Sequence, residues 1–299
     1  MTPRRAHRRW LTRLLNATGL AIAIAAVIWV GLSLRRYAGE IDFASFDSTF
    51  WALMSVLAFA YGASSLMLAR AWWQTLLGLE VDATWRESLR MYGISQLGKY
   101  IPGNVAQVIG RQVMAQGAGY DGIAVGKSAV MEVVLLCMGG IAIALVAGPS
   151  VFDAWPGWAG GALAIFVAAL LYYLAGSIGG PRLGPALQKA YAWIILFLVL
   201  SSLSFGVILY SVESLSVGIL PIVIGAYAAA WLIGYVAPGA PAGIGIREVA
   251  LAWLLGDWVT PAVLALTVVL GRVVTVVGDL VFCAIALALG ESAEAPTAP

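Results

Sequence analysis

The sequence predicts an all-α polytopic membrane protein, and three observations carry that prediction. Apolar runs near twenty residues, long enough to cross a hydrocarbon core as helices, recur along the 299 residues. Of these residues 62% are hydrophobic and only 11% charged, with a mean hydropathy of +0.93, outside the range of soluble domains. The alternating ten-residue segments of an outer-membrane barrel do not appear. The expectation is about seven or eight transmembrane helices plus two Pro/Gly-broken or re-entrant segments. They form one integral membrane domain over residues 1–290, with a short basic cytoplasmic stretch at 1–16 and a disordered tail at 291–299.

In chain order, Arg4, Arg5, Arg8, Arg9 and Arg13 crowd ahead of the first apolar run and place the N-terminus in the cytoplasm. The run Ala17 to Leu34 follows this flank as a signal peptide would, but it ends in Leu34-Arg35-Arg36 without a small-residue cleavage site, so it reads as a retained span. A second run, Phe50 to Leu77, contains Arg70, expected to snorkel, and is closed by Trp72-Trp73, expected to anchor at the interface. Further spans are expected at Ser128 to Ala147, Trp158 to Ile178, Ala192 to Val212, Gly218 to Val236 and Pro261 to Leu289. The connection Gly179 to Lys189 holds Arg182 and Lys189, whereas Gly148 to Gly157 holds no basic residue, which puts the former inside. Cys137 and Cys283 lie in apolar runs and read as small core residues. The single histidine, His7, sits in the basic tail, so histidine chemistry within the membrane is excluded, and no metal or cofactor is expected.

Two stretches break the pattern. Gly98 to Arg111 reads GKYIPGNVAQVIGR, with Lys99, Pro102, Gly103, Asn104 and Arg111 in an otherwise apolar context. Pro102 removes a backbone donor and Gly103 frees the chain, so a helix approaching from Tyr92 should break near Ile101. Broken backbone at membrane depth requires protein or water to satisfy it. The segment is therefore re-entrant or discontinuous, unless it is a cytoplasmic loop with an amphipathic helix. Gly234 to Glu248 reads GYVAPGAPAGIGIRE; Pro102 and Pro238 lie 136 residues apart, as do Gly98 and Gly234, and Arg111 and Arg247. Paired interrupted segments point to a transporter's binding site at the meeting of two repeats. Coincidence in a chain with 34 glycines, with Pro241 as a competing anchor, is the alternative. Each arginine falls after a break, where a half-helix should expose unpaired N–H groups. Asn104, Arg111 and Arg247 facing a common cavity would make a phosphate pocket, since arginine binds phosphate through a two-pronged fork.

Other charges inside apolar runs need partners or a cavity. Arg272 and Asp279 lie seven apart on one helical face, flanked by Gly271 and Gly278, and read either as an intrahelical pair or as functional groups. Glu132 is one turn inside its span, interfacial or buried. Glu248, next to Arg247 but pointing elsewhere, should pair with another helix.

SQLGKYIPGNVAQVIGR, the later MEVVL and APGAPAGIGIREVAL resemble the membrane (flippase) domain of the lysylphosphatidylglycerol synthase family, over nearly the whole chain. The resemblance implies a stand-alone member without the soluble aminoacyl transferase domain, residing in the bacterial cytoplasmic membrane and moving a lipid between leaflets. It marks Pro102, Gly103, Asn104, Arg111, Glu132, Gly243, Gly245, Arg247 and Glu248 as motif positions. The family's Pro-Gly-Gly reads Pro241-Ala242-Gly243 here, which bears on the local bend because alanine tolerates positive φ poorly. The expected function is translocation of an anionic or phosphate-bearing lipid or lipid-linked glycan, without enzymatic activity, P-loop or nucleic-acid partner. The substrate-binding set adds Lys99, Arg272 and Asp279. One rival is a non-transporting partner of a lipid-modifying enzyme. The other, a lipid-phosphate transferase, needs a carboxylate pair, histidine or metal that the scattered acids do not provide.

Overall fold

The computed structural model describes residues 46–100, 106–148, 156, 158–237, 243 and 245–290. The expected first span, the tail, and the site residues Pro102, Gly103 and Asn104 lie outside the described residues. Nine α-helices and no strand occur among the described residues.

Helix α1, Ser48–Gly78, starts where Asp47 accepts from the Phe50 N–H at 2.9 Å. Helix α2, Trp85–Gln96, opens on a capping box in which the Thr84 side chain accepts from the Glu87 N–H and Glu87 accepts from the Thr84 N–H. A 3-10 turn, Leu97–Tyr100, follows, so the α-helical pattern ends four residues ahead of the expected point near Ile101. Helix α3, Ala106–Gly117, begins after residues 101–105, which are not described, and Asp121 caps α4, Gly122–Ala144. Helix α5 is Trp158–Ser177. Helix α6, Gly180–Val212, begins twelve residues before the expected Ala192, so most of the supposed Gly179–Lys189 loop is helix. Pro181 is tolerated in its first turn, where no N–H is needed. Helix α7, Leu220–Val236, is preceded by a 3-10 turn, Val217–Ile219; α8 is Ile246–Leu255 and α9 is Pro261–Leu289.

Six stretches among the described residues are long and apolar enough to cross a membrane: α1, α4, α5, α6, α7 with its 3-10 turn, and α9. Helices α2, α3 and α8, at 12, 12 and 10 residues, are too short to cross. Helix α1 packs chiefly against α6 and α9. The α1–α9 crossing is made by glycines: a Cβ on Gly62 would stand 2.6 Å from the Gly278 carbonyl oxygen, and one on Gly278 would stand 2.7 Å from that of Ala58. Gly271, the other glycine of that stripe, meets only Phe205 at an ordinary 3.6 Å.

The neighbours recur at a fixed shift. Adding 136 to the bounds of α1, α2, α3 and α4 lands on residues 184–214, 221–232, 242–253 and 258–280, overlapping α6, α7, α8 and α9 in turn. Helix α1 packs on α9 as α6 packs on α4; α2 on α9 as α7 on α4; α2 on α3 as α7 on α8. Tyr61 and Phe197, themselves 136 apart, meet between α1 and α6 with ring centroids 5.9 Å apart.

Candidate functional site

Among the described residues, three charged clusters lie within the bundle, each tying a short helix or turn to a long helix. In the first, Asp279 of α9, fully buried, receives Lys99 Nζ at 2.7 and 2.8 Å on its two oxygens and the Tyr100 hydroxyl on Oδ2. In the second, Arg111 of α3 lies 2.8 Å from Glu132 of α4, both buried. That contact is a Coulombic pair without hydrogen-bond alignment, since neither Arg111 Nη1 nor Glu132 Oε2 has a hydrogen-bond partner. Glu132 also accepts from the Tyr92 hydroxyl at 2.6 Å, and the guanidinium sits 4.3 Å from the Tyr92 ring centre and 5.0 Å from that of Trp72. In the third, Arg272 of α9 donates through Nε and Nη2 to Glu248 of α8, at 3.2 and 2.9 Å.

Arg247 stands apart. No carboxylate pairs with it among the described residues, its Nε is buried without a hydrogen-bond partner, and its guanidinium lies 5.5 Å from the Trp231 ring centre. Glycines make room for it: a Cβ on Gly234 would stand 2.5 Å from Arg247 Cγ, and one on Gly243 would stand 2.8 Å from Nε. Gly243 has φ +70 and Gly245 φ +85, conformations that side-chain-bearing residues rarely adopt. Pro241 and Ala242, on which the expected bend falls, lie outside the described residues.

Two cavities adjoin around this arginine. Both are partly open, with about 490 Å³ and about 660 Å³ of unfilled space, the open mouth included. Tyr61, Arg247, Arg272 and Thr275 line both; Glu248 and Ser204 are among the residues that line the first alone, and Lys99, Gln96, Glu132 and Trp231 among those that line the second. Aromatic walls and a few convergent polar groups are the lining of a small-molecule site.

The tertiary arrangement revises several sequence expectations. Lys99, Arg247, Glu248, Arg272 and Glu132 meet at the cavities, and Asp279 lies behind Lys99. Arg111 lines neither cavity; it is packed between Trp72, Tyr92 and Glu132. It is also the sixth residue of α3, away from the helix start, whereas Arg247 is the second residue of α8. A common pocket for both arginines is thereby replaced by one around Arg247. Arg272 and Asp279 do not pair with each other, because each is committed to a different segment. Glu248 does pair across helices and Glu132 is buried. Trp72, expected at the interface, is buried at 1% exposure and donates from Nε1 to Ser128 Oγ at 3.0 Å; it forms a wall for Arg111. Arg70 lies between Trp73 and Trp85, 4.3 and 5.0 Å from their ring centres, at the end of α1. Cys137 and Cys283 are free and half-buried rather than core.

Tyr92, Tyr100 and Trp231 escaped the sequence reading. Tyr100 is next to Lys99 in the first broken stretch and could have been found by asking which neighbour shares that lysine's partner. Nothing in the sequence marked Tyr92 or Trp231. In comparisons with known proteins, no family model matches the chain and no curated protein matches it.

Proposed function

We propose that the protein moves an anionic, phosphate-bearing lipid between the leaflets of a bacterial cytoplasmic membrane, as its likeness to the lysylphosphatidylglycerol synthase flippase domain implies. The observation that carries this reading is Arg247, an arginine without a carboxylate partner among the described residues, at the junction of two cavities inside an apolar bundle. A guanidinium is expensive to place in hydrocarbon, by roughly 2.5–3.5 kcal/mol on insertion scales. A phosphate oxyanion offsets that cost and fits the fork.

The architecture belongs to the same reading. We take residues 48–144 and 180–289 as two repeats related by the 136-residue shift, the repeat organisation common in transporters. Each contains a broken hairpin, α2–α3 or α7–α8, that enters and leaves on one side. Support comes from Tyr120, just past α3, whose hydroxyl donates to Glu87 in the first turn of α2 at 2.8 Å. Likewise Ile219, ahead of α7, shares an apolar cluster with Trp258, just past α8. The N-terminus lies in the cytoplasm with the α5–α6 connection.

The test is movement of fluorescent phosphatidylglycerol in vesicles, read by quenching from outside. Wild-type protein should make the inner-leaflet label accessible, and Arg247→Gln should slow this by tenfold or more, on the order of one charged hydrogen bond. Equal rates for wild-type and protein-free vesicles would end the proposal.

A further inference from the structure

We infer that the outward face of α1 bearing Ala52, Val56 and Phe59 is the seat of the apolar run Ala17 to Leu34, which packs there antiparallel as α5 packs on α6. This rests on the two-repeat reading above and extends it, whatever the cavities bind. In that reading α1 matches α6, so what covers α6 should have a counterpart on α1.

Helix α5 packs along α6. Gln188 donates to the Tyr172 carbonyl of α5 at 3.3 Å, and Gly184 has no room for a side chain against the Gly176 carbonyl. The residues 136 positions earlier on α1 are Ala52 and Ser48, and both are exposed. So are Val56 and Phe59, one and two turns beyond Ala52, at 63% and 62%. The contrast holds beside them: Leu187 and Tyr191 of α6 are buried, at 4% and 1%, whereas their matches Trp51 and Ser55 are exposed. The first repeat is bare where the second is covered.

The chain itself supplies the occupant. Residues 35–47 join the run to α1, as Ile178 and Gly179 join α5 to α6, so each is tethered to the helix it covers and meets it at high effective concentration. The residue pattern fits as well. Helix α5 keeps Gly160, Ala164, Ala168, Leu171 and Ala175, one face at helical spacing, buried or half-buried. At the same spacing the run reads Ala17, Ala21, Ala25, Ile28 and Leu32. The shift between these two sets is 143, and the seven extra residues fall in the longer connection before α1. Small residues let helices approach closely in lipid, where close packing rather than hydrophobic burial holds them together. With the N-terminus in the cytoplasm the run and α1 cross in opposite senses, which brings Ala25 level with Val56.

The experiment uses the full chain in native membranes, in a Cys137→Ala, Cys283→Ala background with a protease site inserted between Ala38 and Gly39. Copper phenanthroline forms the disulfides; after cleavage, a link between the run and α1 keeps the two fragments together on a non-reducing gel. Val56→Cys should link to Ala25→Cys and Ile28→Cys, and poorly to Ala23→Cys and Val27→Cys on the opposite face, because a disulfide tolerates little misalignment. Two differently tagged copies, one carrying Val56→Cys and the other Ala25→Cys, should not join. Linking between copies would give the face to a second chain, and no link from Val56→Cys to any position from 21 to 32 would leave it to lipid; either result overturns the inference. Linking without regard to face does so too. Cysteines at positions 82 and 121 that label from opposite sides would end the repeat reading and leave a link at Ala25 standing. Labelling of both from one side, with no link, would do the reverse.

Discussion

Arg111 and Arg247 occupy matching places 136 residues apart and differ in what surrounds them. Arg111 has Glu132 at 2.8 Å and two aromatic faces, so its charge is answered within the protein. Removing one partner of a buried pair leaves the other uncompensated, at a cost of about 3–5 kcal/mol. Arg111→Gln should therefore lower thermal stability in detergent strongly, and adding Glu132→Gln should restore much of the loss. Arg247→Gln removes a charge that no carboxylate pairs with among the described residues and relieves a desolvation cost. It should leave the melting temperature unchanged or raised while impairing lipid movement. Loss of stability in both single variants would make Arg247 structural as well.

At the scale of elements, hydrogen bonds and close glycine contacts set how the broken segments sit. Glu87 accepts from Tyr120 at 2.8 Å and from the Thr84 hydroxyl at 2.8 Å. Burial pushes its carboxyl up, but these hydrogen bonds outweigh it and hold the group below the ordinary glutamate value. The stability this supplies is fully present above the unfolded value of about 4.3 and is lost as pH falls through the lowered folded value. Tyr120→Phe should cost about 1 kcal/mol at pH 7, discounted because the pair is partly exposed, and the difference from wild type should shrink as the pH is brought below 4. Unfolding midpoints of both proteins across that range check it; a pH-independent difference would count against the hairpin bond. The α1–α9 crossing makes a separate demand. A Cβ at Gly278 would stand 2.7 Å from both the Ala58 oxygen and a Tyr61 ring carbon, so Gly278→Ala should cost about 1–3 kcal/mol.

For the whole molecule, the two hairpins decide the parity of the topology. If α2 and α3 form a re-entrant pair, Asp82 before α2 and Asp121 after α3 lie on one side. If the chain passed through at that point, they would lie on opposite sides. In a Cys137→Ala, Cys283→Ala background, cysteines at positions 82 and 121 should be labelled from the cytoplasmic side alone, together with Ser177→Cys, while Ser216→Cys should react from outside. Opposite labelling at 82 and 121 would remove the re-entrant hairpin. Much of the helical architecture was legible from residues 46 to 290, because hydrocarbon admits only self-satisfied backbone and twenty-residue apolar runs therefore mark helices. Boundaries failed where polarity mimicked a loop: Gly179 to Lys189 carries charge, yet it is the helical start of α6, since a helix emerging from the membrane has no reason to be apolar. The buried charged residues beside the two Pro-Gly stretches were legible as well, because buried charge costs too much in a bundle to occur there idly. Partner choice was not. Lys99 reaches Asp279 across 180 residues and Arg272 reaches Glu248 across 24. Sequence alone determined that these charges require partners; only the packing of α8 and α9 and the turn Leu97–Tyr100 decided which of the described cations went without a carboxylate, because pairing depends on distances that tertiary contacts create.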